Sequence, residues 1–157
     1  MRYTKGKWIA SRKDTYCIDT TLNKIIYAHI SKLYECLKES KYHGVPMHYV
    51  EMQAMLDGVE NKYEGDVDKA DQLRLKDLEE LLWVFGTKEP DISDYDFQIE
   101  MISGERKENG NTPVTFKLLG ENGESERERY RNDVEQYIKR KDAGYKLFGD
   151  IYQYLCW

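Results

Sequence analysis

Leu22, Ile25, Ile26, Ile30, Leu33 and Leu37 recur at intervals of three and four residues, and this spacing constrains the chain more than any other feature. At 3.6 residues per turn the six side chains form one apolar stripe, which a helix in water has to bury. Asp19 stands where an N-cap carboxylate would accept from the free backbone N–H groups of the first turn. Gly44 and Pro46 follow where such a helix has to stop.

The same reading continues along the chain. A second helix is predicted over about Met47 to Lys62, with Val50 or Met52, Met55, Leu56 and Val59 facing inward. Gly58 inside it weighs about 1 kcal/mol against the helix relative to Ala. Gly65-Asp66 marks a break, with Asp66 as cap. A third helix then carries Val67, Ala70, Leu73, Leu78, Leu81, Leu82 and Phe85 as far as Gly86. After a loop from Pro90 to Asp94 the period falls to two. Tyr95, Phe97, Ile99 and Met101 alternate with polar residues, as do Val114, Phe116 and Leu118, which predicts a β-hairpin with a long polar connection. Gly120 to Gly123 reads as a turn. Glu124 to Trp157 reads as a long helix, with a break at Gly144 or Gly149 as an open alternative. The expected fold class is mainly α: one domain, a bundle of about four helices with a β-hairpin inserted at about residues 95–119. Residues 1–18 form a basic, aromatic arm.

No stretch of the 157 residues approaches the roughly 18 apolar residues that a membrane span needs. Met1 to Trp8 lacks the apolar core of a signal peptide. Cys17, Cys36 and Cys156 are odd in number and widely spaced, which suits free, mostly buried thiols better than a disulfide framework. These features predict a cytoplasmic protein with no membrane partner. Charge is uneven: residues 1–47 carry net +5, residues 48–100 net −10, and residues 101–157 are balanced. An acidic chain lacks the basic face that drives general nucleic-acid binding.

Signatures of catalysis and metal binding are not found. His29 lies within the first apolar stripe and reads as a core or edge histidine. His43 and His48 stand five apart with no Cys or second acidic pair at metal spacing, whereas zinc needs about four convergent ligands. There is no G-x-S-x-G, no phosphate-cradling glycine loop, and no matched set of helical carboxylates for Mg²⁺. Glu121 with Glu124, Asp77 with Glu80, and Glu60 with Glu64 fit solvated faces better. The expectation is a non-enzyme without metal or cofactor.

Tyrosine is the anomaly, with thirteen residues alongside three tryptophans. Tyr34, Tyr130, Tyr137, Tyr145 and Tyr152 sit at helix-stripe positions and read as half-buried packing. Tyr3, Trp8 and Tyr16 instead interleave with Lys5, Lys7, Arg12 and Lys13. That mixture of rings and cations suits an anionic, ring-bearing ligand, and equally an arm that docks across the helices by packing Trp8 and Ile9. The candidate binding residues are Lys7, Trp8, Arg12 and Tyr16 on the arm, Arg106 and Lys107 on the hairpin connection as a lid, and Arg140 on the last helix. Such a pocket in an acidic chain has to be local, and a homo-oligomer interface is one place to concentrate it.

Two stretches, Tyr16-Cys17-Ile18-Asp19-Thr20-Thr21-Leu22 and Gly144 to Trp157 with its Leu147-Phe148 pair and terminal aromatics, resemble a family of short, uncharacterised proteins of tailed bacteriophages. Trp83-Val84-Phe85 is similar more loosely, and residues 87–123 depart from the pattern. The resemblance implies a shared helical core and a place in the cytoplasm of an infected bacterium. It transfers no functional residue. The function expected is an accessory protein that counters host defence by non-catalytic binding, sequestering an anionic nucleotide immune signal. The alternative is an acidic inhibitor that binds a host defence protein such as a nuclease effector.

Overall fold

The computed structural model describes residues 2–4, 7–9, 18–39, 44–105, 110–120 and 122–155, and up to residue 20 it describes the backbone alone. The chain is mainly helical. Among the described residues the α-helices are α1 (Ile18–Glu39), α2 (Met47–Leu56), α3 (Val67–Gly86) and α4 (Gly123–Ile151). The strands are β1 (Arg2–Thr4), β2 (Lys7–Ile9), β3 (Gln98–Ser103) and β4 (Val114–Leu119). Two units emerge: residues 1–87 together with 141–157, and residues 88–140. Among the described residues no helix is long and apolar enough to cross a membrane.

The first unit is built on the α1 stripe. Ile30, Leu33 and Leu37 are buried against Leu78, Leu81, Val84 and Phe85 of α3, with Ile151 of α4 closing the cluster. Ile25 and Ile26 are half-buried, and Leu22 is exposed at the end of the stripe. The helix begins at Ile18, so Asp19 is its second residue and not the cap expected of it. An acid in the first turn of a helix is favoured by the helix dipole. Cys36 is a half-buried free thiol, whereas Cys17 and Cys156 lie outside the described residues. Within the stretch read as an arm, β1 and β2 pair antiparallel with Tyr3 opposite Trp8.

α2 ends at Leu56, six residues before the end expected of it. The reason is Gly58, whose φ of 68° lies in the left-handed region that costs other residues most. The Gly58 N–H donates to the Met55 carbonyl and the Val59 N–H to the Ala54 carbonyl, which is the Schellman arrangement of a helix C-terminus. Tyr49, Val50, Gln53 and Ala54 are therefore the inward residues, while Met55, Leu56 and Val59, expected to face the core, are exposed. Tyr49 and Val50 pack with Ala70 of α3 in a second cluster.

α3 starts as its sequence predicts. The Asp66 side chain accepts from the backbone N–H groups of Asp68 and Lys69 at 3.0 and 3.1 Å. Val67, assigned to the stripe, is exposed. At the other end the Val84 carbonyl, one of the last four that an α-helix leaves open, accepts from the ammonium of Lys141. Lys141 is only 8% exposed, and burial holds its pKa below the usual lysine range. α4 runs unbroken through Gly144 and Gly149 and gives way to a short 3₁₀ turn, Tyr152–Tyr154.

In the second unit β3 and β4 form the expected antiparallel hairpin. The strands begin later than the alternation suggested, because Tyr95 and Phe97 are used elsewhere. The Tyr95 hydroxyl donates to Asp133 Oδ2 at 2.7 Å, and both rings lie against Tyr130 of α4. Phe97 is the one buried apolar side chain among the described residues of this unit. The pairs Ile99–Leu118, Met101–Phe116 and Ser103–Val114 share one face of the hairpin, and Glu100–Lys117 lies on the other.

Candidate functional site

A groove opens beside the hairpin of the second unit. It holds about 410 Å³ and is lined by Ile99, Phe116, Lys117, Leu118 and Arg127. The β4 sequence explains the lining. Alternation brings Phe116 and Leu118 to the face they share with Ile99, while Lys117 between them lines the groove from the strand whose opposite face its side chain joins. Arg127 reaches it from the first turns of α4, and among the described residues its ion-pair partner is Glu124, at a loose 3.8 Å. Phe116 is 70% exposed, so its ring is open for stacking. An open ring beside the Arg127 guanidinium can hold a planar, anionic molecule: stacking on an aromatic contributes about 1–3 kcal/mol per base, and a charge-assisted hydrogen bond to the cation adds to it.

A second polar site lies in the first unit, between α2 and α3. Tyr49 is fully buried and Arg74 is 3% exposed. Among the described residues Arg74 Nε has no hydrogen-bond partner and Arg74 Nη1 makes only a long 3.4 Å contact to the Gly44 carbonyl, while the Tyr49 hydroxyl is set against the Asp77 carboxyl without closing a well-formed hydrogen bond. Burial pushes the Tyr49 phenol far above its ordinary value, with the charge of Asp77 adding to the effect. Burial also lowers the Arg74 guanidinium and raises the Asp77 carboxyl. At the half-exposed side His48 stacks on Tyr154, with ring centroids 4.2 Å apart and planes 4° from parallel.

The residues proposed from sequence are placed as follows. Lys7 and Trp8 are adjacent in β2, where the backbone alone is described. Arg12, Tyr16, Arg106 and Lys107 lie outside the described residues. Arg140 is exposed on α4. His29, read as a core or edge histidine, is exposed, and His43 lies outside the described residues.

The acidic middle of the chain is largely engaged from within. Asp66 caps α3, Asp57 pairs with Lys69 at 3.1 Å, and Glu51 with Lys62 at 3.2 Å. Glu79 accepts from the Tyr34 hydroxyl and stands 4.0 Å from Lys38. Asp77 is directed toward Tyr49 and His48.

Sequence reasoning missed Arg74, although a signal was present. It falls four residues after Ala70 and four before Leu78, on the apolar stripe itself, where a cation has to be buried. Comparison with known proteins finds no matching family model, no similar curated protein and no similar solved structure.

Proposed function

We propose that this chain is a non-catalytic binding protein that sequesters an anionic, ring-bearing nucleotide, acting for a bacteriophage against a nucleotide signal of host defence. The observation that carries the reading is the groove in which the open Phe116 ring lies with Arg127. Its size falls within the range of small-molecule sites, and its chemistry pairs a stacking surface with phosphate donors. The phage setting rests on the sequence resemblance alone.

Calorimetric titration of the full chain with cyclic dinucleotides, cyclic trinucleotides and cyclic ADP-ribose isomers tests it. One member should bind reversibly and be recovered chemically unchanged. Phe116→Ala combined with Arg127→Ala should weaken that binding by about 100-fold, the sum of one lost stack and one lost charged hydrogen bond. If no member binds below micromolar concentrations, the sequestering function is abandoned in favour of the acidic inhibitor. The internal engagement of Asp66, Asp77 and Glu79 leaves that alternative fewer free carboxylates.

A further inference from the structure

We propose that the apolar face of the β3–β4 hairpin is an interface between two copies of this chain, packed face to face across a twofold axis. The strip runs over three cross-strand pairs, Ile99–Leu118, Met101–Phe116 and Ser103–Val114. Ile99 is 50%, Met101 63%, Phe116 70% and Val114 43% exposed. Every residue of β3 is exposed, and β4 is exposed from Val114 to Lys117. The sheet has two strands, and a two-stranded hairpin is marginal in water by itself. A contiguous apolar strip of a few hundred Å² goes beyond scattered surface residues and marks a surface that another molecule covers.

Charge and area both select a second copy as that molecule. The strip itself is uncharged, because Glu100 and Lys117 lie on the opposite face. A twofold contact sets each residue near its own counterpart, so any charge on the strip would meet its like. An uncharged strip escapes that repulsion, whereas a charged partner would find nothing on it to pair with. A standard interface buries about 800 Å² per partner, about 500 Å² of it apolar in homodimers. Four large side chains at these exposures supply roughly 400 Å², most of that apolar share. Pairing of the strand edges would leave the strip in water, so the copies meet by their faces, about 10 Å apart as stacked sheets do. Met101 and Phe116 are the middle pair of the strip, and the axis passes beside them. Phe116 also lines the groove, so a nucleotide bound there would be held between two copies. The interface does not depend on that function.

Sedimentation equilibrium of the full chain without nucleotide tests the interface separately from the groove. The mass should rise with concentration toward twice the 18.7 kDa of one chain, with a midpoint between about 1 and 100 μM. Met101→Lys should weaken association by about 100-fold, because each copy loses an apolar contact and brings a charge against its like. Met101 is exposed in the single chain, so the variant should keep the helical circular dichroism of wild type. Thr115→Lys, on the opposite face, should associate as wild type does. In a Cys17→Ser, Cys36→Ser, Cys156→Ser background, Met101→Cys should join two chains through a short bis-maleimide, and Thr115→Cys should not. The proposal is overturned by a single-chain mass at every concentration up to about 100 μM, whatever then covers the strip. It is overturned equally if Met101→Lys leaves association unchanged. Loss of association in Thr115→Lys, or cross-linking through Thr115→Cys in place of Met101→Cys, would put the contact on the other face and overturn it too.

Discussion

Gly144 lies so close to Val84 that a Cβ built on it would stand 2.0 Å from Val84 Cγ2. The hydrogen of a glycine is what lets α4 press against α3 at this level. Two effects of Gly144→Ala oppose each other. Alanine favours the helix by about 1 kcal/mol, whereas overpacking a core contact costs about 1–3 kcal/mol. The stiff, β-branched Val84 has little room to turn away. The variant should lose up to about 2 kcal/mol net in urea unfolding, and a gain in stability would show that the contact yields freely.

Leucines on α2 and α3 should separate sharply. Leu81 is fully buried, and Leu81→Ala should cost about 2–5 kcal/mol. Leu56 is 68% exposed, and Leu56→Ala should stay within about 0.5 kcal/mol of wild type. Equal losses at the two positions in denaturant titrations would contradict the assignment of the core.

Gly58 tests the end of α2. With φ at 68°, Gly58→Ala should destabilise by about 1 kcal/mol, and Gly58→Asn by less, because Asn tolerates the left-handed region. A stabilised Gly58→Ala protein would mean that the helix runs on past this point.

Asp77 makes the stability depend on pH in a defined direction. Burial raises its carboxyl above the ordinary aspartate value of 3.8. The folded protein therefore holds this proton more tightly than the unfolded chain does. The stability gained by protonation is fully present below 3.8 and is lost as pH rises through the higher, folded value. Asp77→Asn removes this titration. The stability of wild type relative to Asp77→Asn should accordingly fall across that window, and NMR titration of the Asp77 carboxyl should place its midpoint above 3.8. A midpoint below 3.8 would refute the assignment.

If Lys117 and Arg127 meet a phosphate, nucleotide binding in the groove should weaken with added salt, and less so in a Lys117→Ala protein, which has one cation fewer to be screened. Salt-independent affinity would point to stacking on Phe116 alone.

Much of the scaffold was legible because its signals are local. The α1 stripe, the Asp66 cap and the alternation of β3 and β4 each depend on residues a few positions apart. Gly58 shows where local reading fails: the same residue weakens a helix interior and completes a helix end, and only the Met55 and Ala54 carbonyls decide between the two. The displaced strand starts have a similar cause, since Tyr95 pairs with Asp133, 38 residues away. The polar seam was hidden for a different reason. Tyr49, Arg74 and Asp77 come from two helices, and nothing in either helix alone shows that they meet. Arg74 and Lys141 do share a sequence trait: each is a cation on an otherwise apolar stripe, and each is buried.

The core of the first unit is discontinuous, and this affects how the chain is made. Ile30, Leu33, Leu78 and Leu81 leave the ribosome well before Ile151, which closes their cluster. Until residues 141–151 emerge, a nascent chain carries α1 and α3 with part of their apolar surface uncovered, so the cooperative step has to wait for those residues. Residues 88–140 act in that step as the loop to be closed. Closure entropy grows only with the logarithm of loop length, about 0.6 kcal/mol per doubling. Insertions or deletions at the Gly110 end of the hairpin should therefore change the folding equilibrium little, which leaves this segment free to vary in length while the helical core stays the same.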